Sequence, residues 1–225
     1  MDRKIGICIA GYGNFGRKLE SYLSKMDDCE VRCLYHPDTN KSLSYGPLGL
    51  SHPGRALQIS DACIITTPND KHFEFLKWAL DCDGHHVFVE KPMTNSLEEA
   101  NLVGELLKGS DKVFMVGHCQ RREGVFRTAK EVLDEGRIGR VVNANFNLSH
   151  GGAFNISKSD WRASAVRTEL GPLIMVGSHC IDTIHYLFGQ MVSVRAVLKN
   201  LTGQTEAPDT SSVMMQLENG ATVFL

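Results

Sequence analysis

Three short stretches of the chain carry residues whose types and spacing could do chemistry. "GYGNFG", residues 11 to 16, fits G-x-G-x-x-G. Gly11 permits a tight turn, Gly13 lets backbone approach a pyrophosphate, and Gly16 lets a helix pack closely on a strand while its N-terminus faces negative charge. A glycine-rich turn is ordinary by itself, but here an apolar strand precedes it and an amphipathic helix follows. Gly11, Gly13, Asn14, Phe15 and Gly16 are therefore read as a dinucleotide-binding loop. The second stretch, "GHHVFVEKP" at 84 to 92, ends an apolar run in an acid, a base and a proline. A lysine at a strand's carboxyl end can donate to a hydroxyl or carbonyl oxygen, and its charge favours oxyanion character as hydride leaves or arrives. Lys91 is the candidate, with Glu90 beside it and Pro92 fixing the turn that aims it. Taken alone, the pair also fits an exposed ion pair, which is common and worth little. In the third stretch, "GPLIMVGSHCIDTIHYLFG" at 171 to 189, Met175, His179 and Asp182 are four and three residues apart. That spacing puts them on one face of a helix, so His179 and Asp182 could both point into a cleft. An imidazole near neutral pKa suits proton transfer coupled to hydride transfer. A histidine in an apolar helix equally fits a hydrogen-bonded core residue.

The elements that must position these residues alternate in type. "KIGICIA" (4 to 10), "EVRCLY", "ACIITT" (62 to 67), "HVFVE" (86 to 90) and "KVFMVG" (112 to 117) read as strands. Helices are expected between them: one with the stripe Phe15, Leu19, Tyr22, Leu23 and Met26, one with Phe73, Leu76, Ala79 and Leu80, and one opened by a Ser96/Glu99 capping box. A Gly/Ser/Pro-rich connection is expected over 42 to 54. The pattern predicts a doubly wound, mostly parallel sheet of Rossmann type over residues 1–120. From Arg121 the texture changes: a helix carries Val125, Phe126, Ala129, Val132 and Leu133 and closes at Gly136. "VVNANFNLSH", "MVSVRAVLKN" and "SSVMMQLENGATVFL" follow as longer alternating strands. Residues 121–225 are thus expected to form an α+β domain with an open, mostly antiparallel sheet.

Bulk properties remove other functions. The 225 residues are 42% hydrophobic and 22% charged, with a formal net charge of −2 and no basic face, which argues against nucleic acid. No run approaches membrane-spanning length, and the opening "MDRKIGICIAGYG" breaks its apolar part with glycines, unlike a signal peptide, so cytoplasm is the default. The seven cysteines are odd in number and lack C-x-x-C, and they read as reduced core thiols. No Cys/His spacing matches a metal-ligand pattern, His85, His86 and His118 included, so no metal is assigned. The ribose-reading acid expected about 20 residues past the glycines is missing. His36 occupies that spot and Asp38 comes late, so the cofactor is read as NAD(P) with a slight lean to NADP.

Together, "GYGNFG", "TTPNDKH" (66 to 72), "GHHVFVEKP", "VGHCQRR" (116 to 122) and the 171 to 189 segment resemble, in order and spacing, the Gfo/Idh/MocA family. The resemblance implies an N-terminal Rossmann domain, a C-terminal α/β domain with an open sheet, and NAD(P)-dependent hydride transfer at a hydroxyl-bearing carbon of a sugar, cyclitol or sugar derivative. It implies that Lys91 is the catalytic lysine, that His179 is the acid/base histidine, and that Thr67, Pro68, Asn69 and His72 belong to the loop and helix start along the cofactor. It also implies dimerisation through the outer face of the second sheet. Two departures stand out. Met175 replaces an aspartate usual in the family, which Asp182 would replace only in part or instead cap or brace the helix, and members are longer than a chain ending "ENGATVFL". The second sheet would then lack later strands, as in a fragment, a short member, or a chain completed by a partner. Arg121 and Arg122 are candidates to hold a phosphate or carboxylate, or to cap the cleft rim. Trp161, in "GGAFNISKSDWRAS", is a candidate substrate contact or a packed aromatic in a solvated loop. The resulting expectation is an oxidoreductase whose exact substrate is open; the alternative is a dinucleotide-binding sensor without turnover.

Overall fold

The computed structural model describes residues 3–82 and 84–225. The charged opening of the chain begins with Met1 and Asp2, which lie outside the described residues. The chain divides into two compact units, Met1–Gly117 and His118–Leu225.

The first unit runs β1 (Ile5–Ala10), α1 (Asn14–Leu23), β2 (Cys29–Tyr35), α2 (Thr39–Leu43), β3 (Gly49–Leu50), α3 (Pro53–Gln58), β4 (Ala62–Ile65), α4 (His72–Asp81), β5 (His86–Val89), α5 (Leu97–Leu107) and β6 (Phe114–Val116). Its strands form one sheet in the order β3-β2-β1-β4-β5-β6, every neighbouring pair parallel. Alternate residues serve opposite faces, as the pleat requires. Cys8, Cys33, Cys63, Ile65, Val87 and Val89 pack under α3, α4 and α5 with Leu57, Leu76 and Val103. Ile7, Ile9 and Leu34 face the other side with Leu23 of α1. Five of the seven cysteines are buried thiols as expected, but Cys119 is exposed.

The 42 to 54 stretch is not plain connection. It contains α2, a 3-10 turn at Gly46–Leu48 and the two-residue edge strand β3, where His36 N–H donates to Leu50 O at 3.0 Å. A two-residue strand carries too little apolar alternation to be seen in sequence. The α1 stripe also faces differently from expectation. Gly16, Leu19, Glu20 and Leu23 turn inward, while Phe15, Tyr22 and Met26 are exposed. Close approach at Gly16 sets the helix rotation: a Cβ there would lie 2.3 Å from Gly11 O, so this line must face the strand. At α5 the Ser96 side chain accepts from Glu99 N–H at 3.2 Å, but the Glu99 carboxylate reaches back to Asn95 N–H, one residue short of a full capping box.

The second unit contains a 3-10 turn (Cys119–Arg122), α6 (Gly124–Asp134), β7 (Asn143–Asn145), α7 (Pro172–Met175), α8 (Gly177–Phe188), β8 (Met191–Lys199), β9 (Thr210–Leu217) and β10 (Thr222–Phe224). Its sheet has the order β7-β10-β9-β8, antiparallel except for β7 against β10. Val213, Met215 and Leu217 of β9 point to one face and bury against Ile184 of α8, with Val223 of β10 alongside. "VVNANFNLSH" yields only the three residues of β7, because its sole partner β10 is itself three residues long. The 171 to 189 segment breaks into two helices at Val176, whose backbone (φ −125°, ψ −35°) leaves the helical well. Gly177 follows, and a Cβ there would sit 3.1 Å from Leu173 Cδ1, so a glycine lets α7 fold closely against α8. Met175 is therefore on a different helix from His179 and Asp182, and the expected shared face does not exist. Among the described residues, no helix is long and apolar enough to cross a membrane.

One loop of this unit hangs on a single carboxylate. Asp209 accepts from Leu201 N–H (2.9 Å), Thr202 N–H (2.7 Å), Thr202 Oγ1 (2.5 Å) and Thr210 Oγ1 (3.0 Å). The Leu201 N–H bond, followed by the Thr202 hydroxyl, holds its pKa below the usual carboxylate range, against a smaller opposing push from burial. A depressed native pKa contributes stability that is present above the unfolded value and lost as pH falls through the native one. Urea midpoints of wild type should therefore drop below about pH 4 more steeply than those of Asp209→Asn. Parallel pH profiles for the two proteins would refute this role.

Candidate active site

The first unit gathers candidate residues at the carboxyl ends of β1, β4, β5 and β2. After β1, the three glycines each meet a different demand. Gly11 has φ +90°, and a Cβ on it would lie 2.7 Å from Thr67 N. Gly16 packs on the Gly11 carbonyl, as described. At Gly13 a Cβ would meet nothing within 4 Å, so the protein's own packing leaves open space there, as a glycine that lets a ligand approach would. Gly13 also precedes the first turn of α1, where Asn14 and the exposed Phe15 sit. Thr66 Oγ1 donates to Gly11 O (2.5 Å) and lies 3.2 Å from Ala10 O, tying the end of β4 to the loop. Beside it, Thr67 Oγ1 is buried with no hydrogen-bond partner among the described residues. Open space at Gly13 and an orphaned hydroxyl on Thr67, whose backbone meets Gly11, fit a polar dinucleotide, with Gly11 to Gly16 and Thr67 as the groups that would hold it. Gly13→Ala should accordingly keep the thermal midpoint of wild type yet bind reduced dinucleotide ~10–100-fold more weakly by fluorescence titration. Unchanged affinity would deny the loop that role.

At the end of β2, His36 Nδ1 accepts from Asp38 N–H at 3.0 Å. Burial, then Lys41, lowers its pKa, which favours the neutral ring. Asp38 is committed to capping α2 through Asn40 and Lys41 N–H, so it offers no obvious ribose contact. At the end of β5, Glu90 N–H donates to Ile65 O (2.9 Å) and the Lys91–Pro92 bond is cis. Burial pushes the Glu90 carboxyl up, and neighbouring Lys91 pulls it partly back. Gly117 leaves room for that carboxyl, since a Cβ there would come within 2.6 Å of Glu90 Oε1. Lys91 is partly buried, Pro92 is buried, and Asn69, after Pro68, is 6% exposed.

His72, expected at the helix start along the cofactor, joins two strand ends. It is 1% exposed, with Nδ1 2.7 Å from Pro92 O and Nε2 2.9 Å from Thr67 O. Burial lowers its pKa while the two carbonyls pull it back up. One ring thus braces the β4 loop against the turn that bears Lys91.

In the second unit, Arg121 and Asp182 are paired with each other, which fits Asp182 as a brace of the helix. The Arg121 guanidinium forks onto Asp182, with Nε to Oδ2 at 2.7 Å and a terminal nitrogen to Oδ1 at 2.5 Å. Arg121 is therefore no free anchor for a substrate anion, and Asp182 is no free acid; the carboxylate raises the arginine's pKa. Thr183 Oγ1, next along α8, donates to Gln120 at 3.0 Å, so the 3-10 turn is fixed at two adjacent residues. His118 Nδ1 lies 3.9 Å from Asp182 Oδ1, and the His118 and His179 rings meet edge to face with centroids 6.5 Å apart. Sequence reading missed His118 as a partner of this helix; the Gly-His of "VGHCQRR" was the available signal. Arg122 is exposed. Trp161 lies under two cations, Arg162 at 4.5 Å and Arg167 at 5.7 Å from its ring centre. A cavity of about 650 Å³ opens in this unit, lined among others by Asn147, His150, Arg162, Met175 and Ser212. Met175 lines it; His179 and Asp182 do not.

Residues 5–118 match the family model described as an oxidoreductase family with an NAD-binding Rossmann fold, and residues 126–225 match the GFO/IDH/MocA C-terminal domain. The chain belongs to the Gfo/Idh/MocA oxidoreductases. Among curated members, the uncharacterized oxidoreductase YdgJ of Escherichia coli is 36% identical over 155 residues, 66% of this chain and 42% of its own length. Levoglucosan dehydrogenase of Pseudarthrobacter phenanthrenivorans is 33% identical over 135 residues, 60% of this chain and 34% of its own. The NADP(+) scyllo-inositol 2-dehydrogenase of Bacillus subtilis is 30% identical over 147 residues, 65% and 39% of the two chains. The first matches cover 36%, 36%, 50% and 42% of the relatives, so this Gfo/Idh/MocA chain spans between about a third and a half of their length. A structure from Desulfitobacterium hafniense, assigned as an NADPH-dependent oxidoreductase, matches at TM-score 0.90 and 27% identity over 100% of this chain and 66% of its own. Levoglucosan dehydrogenase in complex with NADH matches at TM-score 0.87 over 99% and 66% of the chains, and at 24% identity it supports the Gfo/Idh/MocA fold alone.

Proposed function

We propose that the protein is an NAD(P)-dependent oxidoreductase acting at a secondary hydroxyl, or the matching ketone, of a sugar, cyclitol or sugar derivative. The observation that carries this reading is the carboxyl edge of the first sheet. There a glycine loop with ligand space at Gly13, an orphaned Thr67 hydroxyl and the ammonium-bearing turn at Lys91 occur together, braced by His72. Hydride acceptance and donation are the chemistry a bound nicotinamide supplies. Lys91 holds the substrate oxygen and favours its anionic character, and His179 takes the hydroxyl proton in oxidation and returns it in reduction. Pro68 and Asn69 line the cofactor, and Glu90 supports the lysine. The family's levoglucosan and scyllo-inositol dehydrogenases support the substrate class. NADP is favoured slightly, because His36 presents no carboxylate against a 2′-phosphate. The reading includes a cytoplasmic homo-oligomer joined through the four-stranded sheet.

The test follows NAD(P)H absorbance over a panel of sugars, cyclitols and their derivatives, with full-length protein and both cofactors. Turnover on at least one of them is expected, with NADPH bound at least as tightly as NADH. A second reading, a dinucleotide-binding sensor, is favoured by Met175, which offers no carboxylate to orient a substrate. Tight cofactor binding without turnover on any compound would select it.

A further inference from the structure

We propose that Gly117 is a positioning residue of the reaction: by carrying no side chain it seats the Glu90 carboxyl at the end of β5, and the charge held there helps the neighbouring Lys91 ammonium keep its proton while it meets an oxyanion. The inference rests on the oxidoreductase reading for its chemical purpose, but its physical content lies wholly within the first unit.

Main-chain pairing fixes the seat. β6 lies parallel to β5 with Val116 opposite Val89, so Gly117 and Glu90 are each one residue past their strand ends. Gly117 N–H donates to Val89 O at 2.8 Å, and Glu90 N–H donates on the other side to Ile65 O at 2.9 Å. A Cβ on Gly117 would fall 2.6 Å from Glu90 Oε1, 3.0 Å from Glu90 Cδ and 3.0 Å from Phe88 Cζ. Gly117 is not among the glycines with positive φ, so its backbone would accept a side chain. The Glu90 carboxyl and the Phe88 ring are what exclude one.

Burial raises the Glu90 pKa, while the Lys91 ammonium and the Lys91 main-chain N–H draw it back toward the ionised form. Such coupling is mutual: a carboxylate favoured by an ammonium raises that ammonium's proton affinity by the same free energy. An ammonium offers its charge to a substrate oxygen only while it keeps its proton. The elements around the seat bring these other groups. β4 runs out in Ile65, Thr66 and Thr67, and β6 in Phe114, Met115 and Val116, none of them ionisable near neutral pH. α4 brings His72, buried and held between Thr67 O and Pro92 O, with Asp70 acting on that ring. Lys71 and Glu74 pair with each other at 4.0 Å and are exposed. The other contacts of Lys91 are common to wild type and variants, so a difference between them reports on Glu90.

The test titrates Lys91 in the full-length protein without cofactor or substrate, by competitive labelling with acetic anhydride across pH and mass spectrometry of the Lys91 peptide. In Glu90→Gln the Lys91 midpoint should fall by roughly half a unit to one unit. It should fall in the same direction in Gly117→Ala, whose methyl pushes the carboxyl off its seat. In the double variant it should fall no further than in Glu90→Gln alone, because displacing an amide moves no charge. An unmoved midpoint in Glu90→Gln or in Gly117→Ala, or additive shifts in the double variant, overturns the proposal. If Gly117→Ala does not fold, recovery of folding when Glu90→Ala is added supports the seat, and continued failure overturns it. Turnover is read separately: with an active substrate, the alkaline limb of kcat/KM should move to lower pH in Glu90→Gln and Gly117→Ala alike, a shift that a purely structural glycine would not produce. Shifted Lys91 midpoints without turnover on any substrate would sink the enzymatic reading and leave the seat standing; turnover with unmoved midpoints would do the reverse.

Discussion

Lys91→Met is expected to lower kcat for the active substrate about 10³-fold while leaving dinucleotide affinity close to that of wild type. Methionine keeps the length and apolar stem of the side chain and removes only the ammonium. The loss would be the difference between an oxyanion held by a cation and one held by nothing, and a thousandfold corresponds to ~4 kcal/mol of transition-state stabilisation. The glycine loop and Thr67 belong to other strand ends and are untouched, so fluorescence titration of reduced cofactor should change little. Lys91→Arg should recover only part of the rate, because a planar guanidinium presents its charge through a broader fork. Steady-state kinetics beside a cofactor titration would check all three points. Equal loss of binding and turnover in Lys91→Met would mean the lysine holds cofactor and does no chemistry.

Arg121→Met is expected to destabilise the protein by about 3–5 kcal/mol, a far larger cost than Asp182→Asn. The asymmetry comes from exposure. The Asp182 side chain is 8% exposed and Arg121 41%. Removing the arginine strands a carboxylate that water cannot reach, whereas removing the carboxylate leaves a guanidinium that can turn to solvent. Arg121→Met combined with Asp182→Leu should recover much of the loss, since an apolar pair needs no counter-charge. Urea midpoints for the three variants measure this, and equal costs for the two single changes would show that the pair is not held as the distances imply.

Much of the first unit was legible because its signals are local. The β1–glycine loop–α1 run states its geometry within about twenty residues of chain, and parallel strands buried on both faces read as unbroken apolar runs. What escaped was set by tertiary contact. The rotation of α1 depends on how near Gly16 must come to the Gly11 carbonyl, and this put Phe15, Tyr22 and Met26 outside. The expected line from Met175 through His179 to Asp182 assumed one continuous helix, and a single departure at Val176 dissolved it. Arg121 and Asp182 are 61 residues apart, so each looked available to a ligand until the fold brought them together. His72 is similar: its type marked it as functional, but its partners, Thr67 O and Pro92 O, are fixed by the packing of two strand ends.

That imidazole carries a lesson for anyone redesigning the protein. Because one ring rests on both the segment proposed to seat the dinucleotide and the turn that presents the lysine, the two cannot be tuned as independent modules. A change introduced at residues 67–69 to swap one nicotinamide for another will be felt at position 91 through a rigid strut.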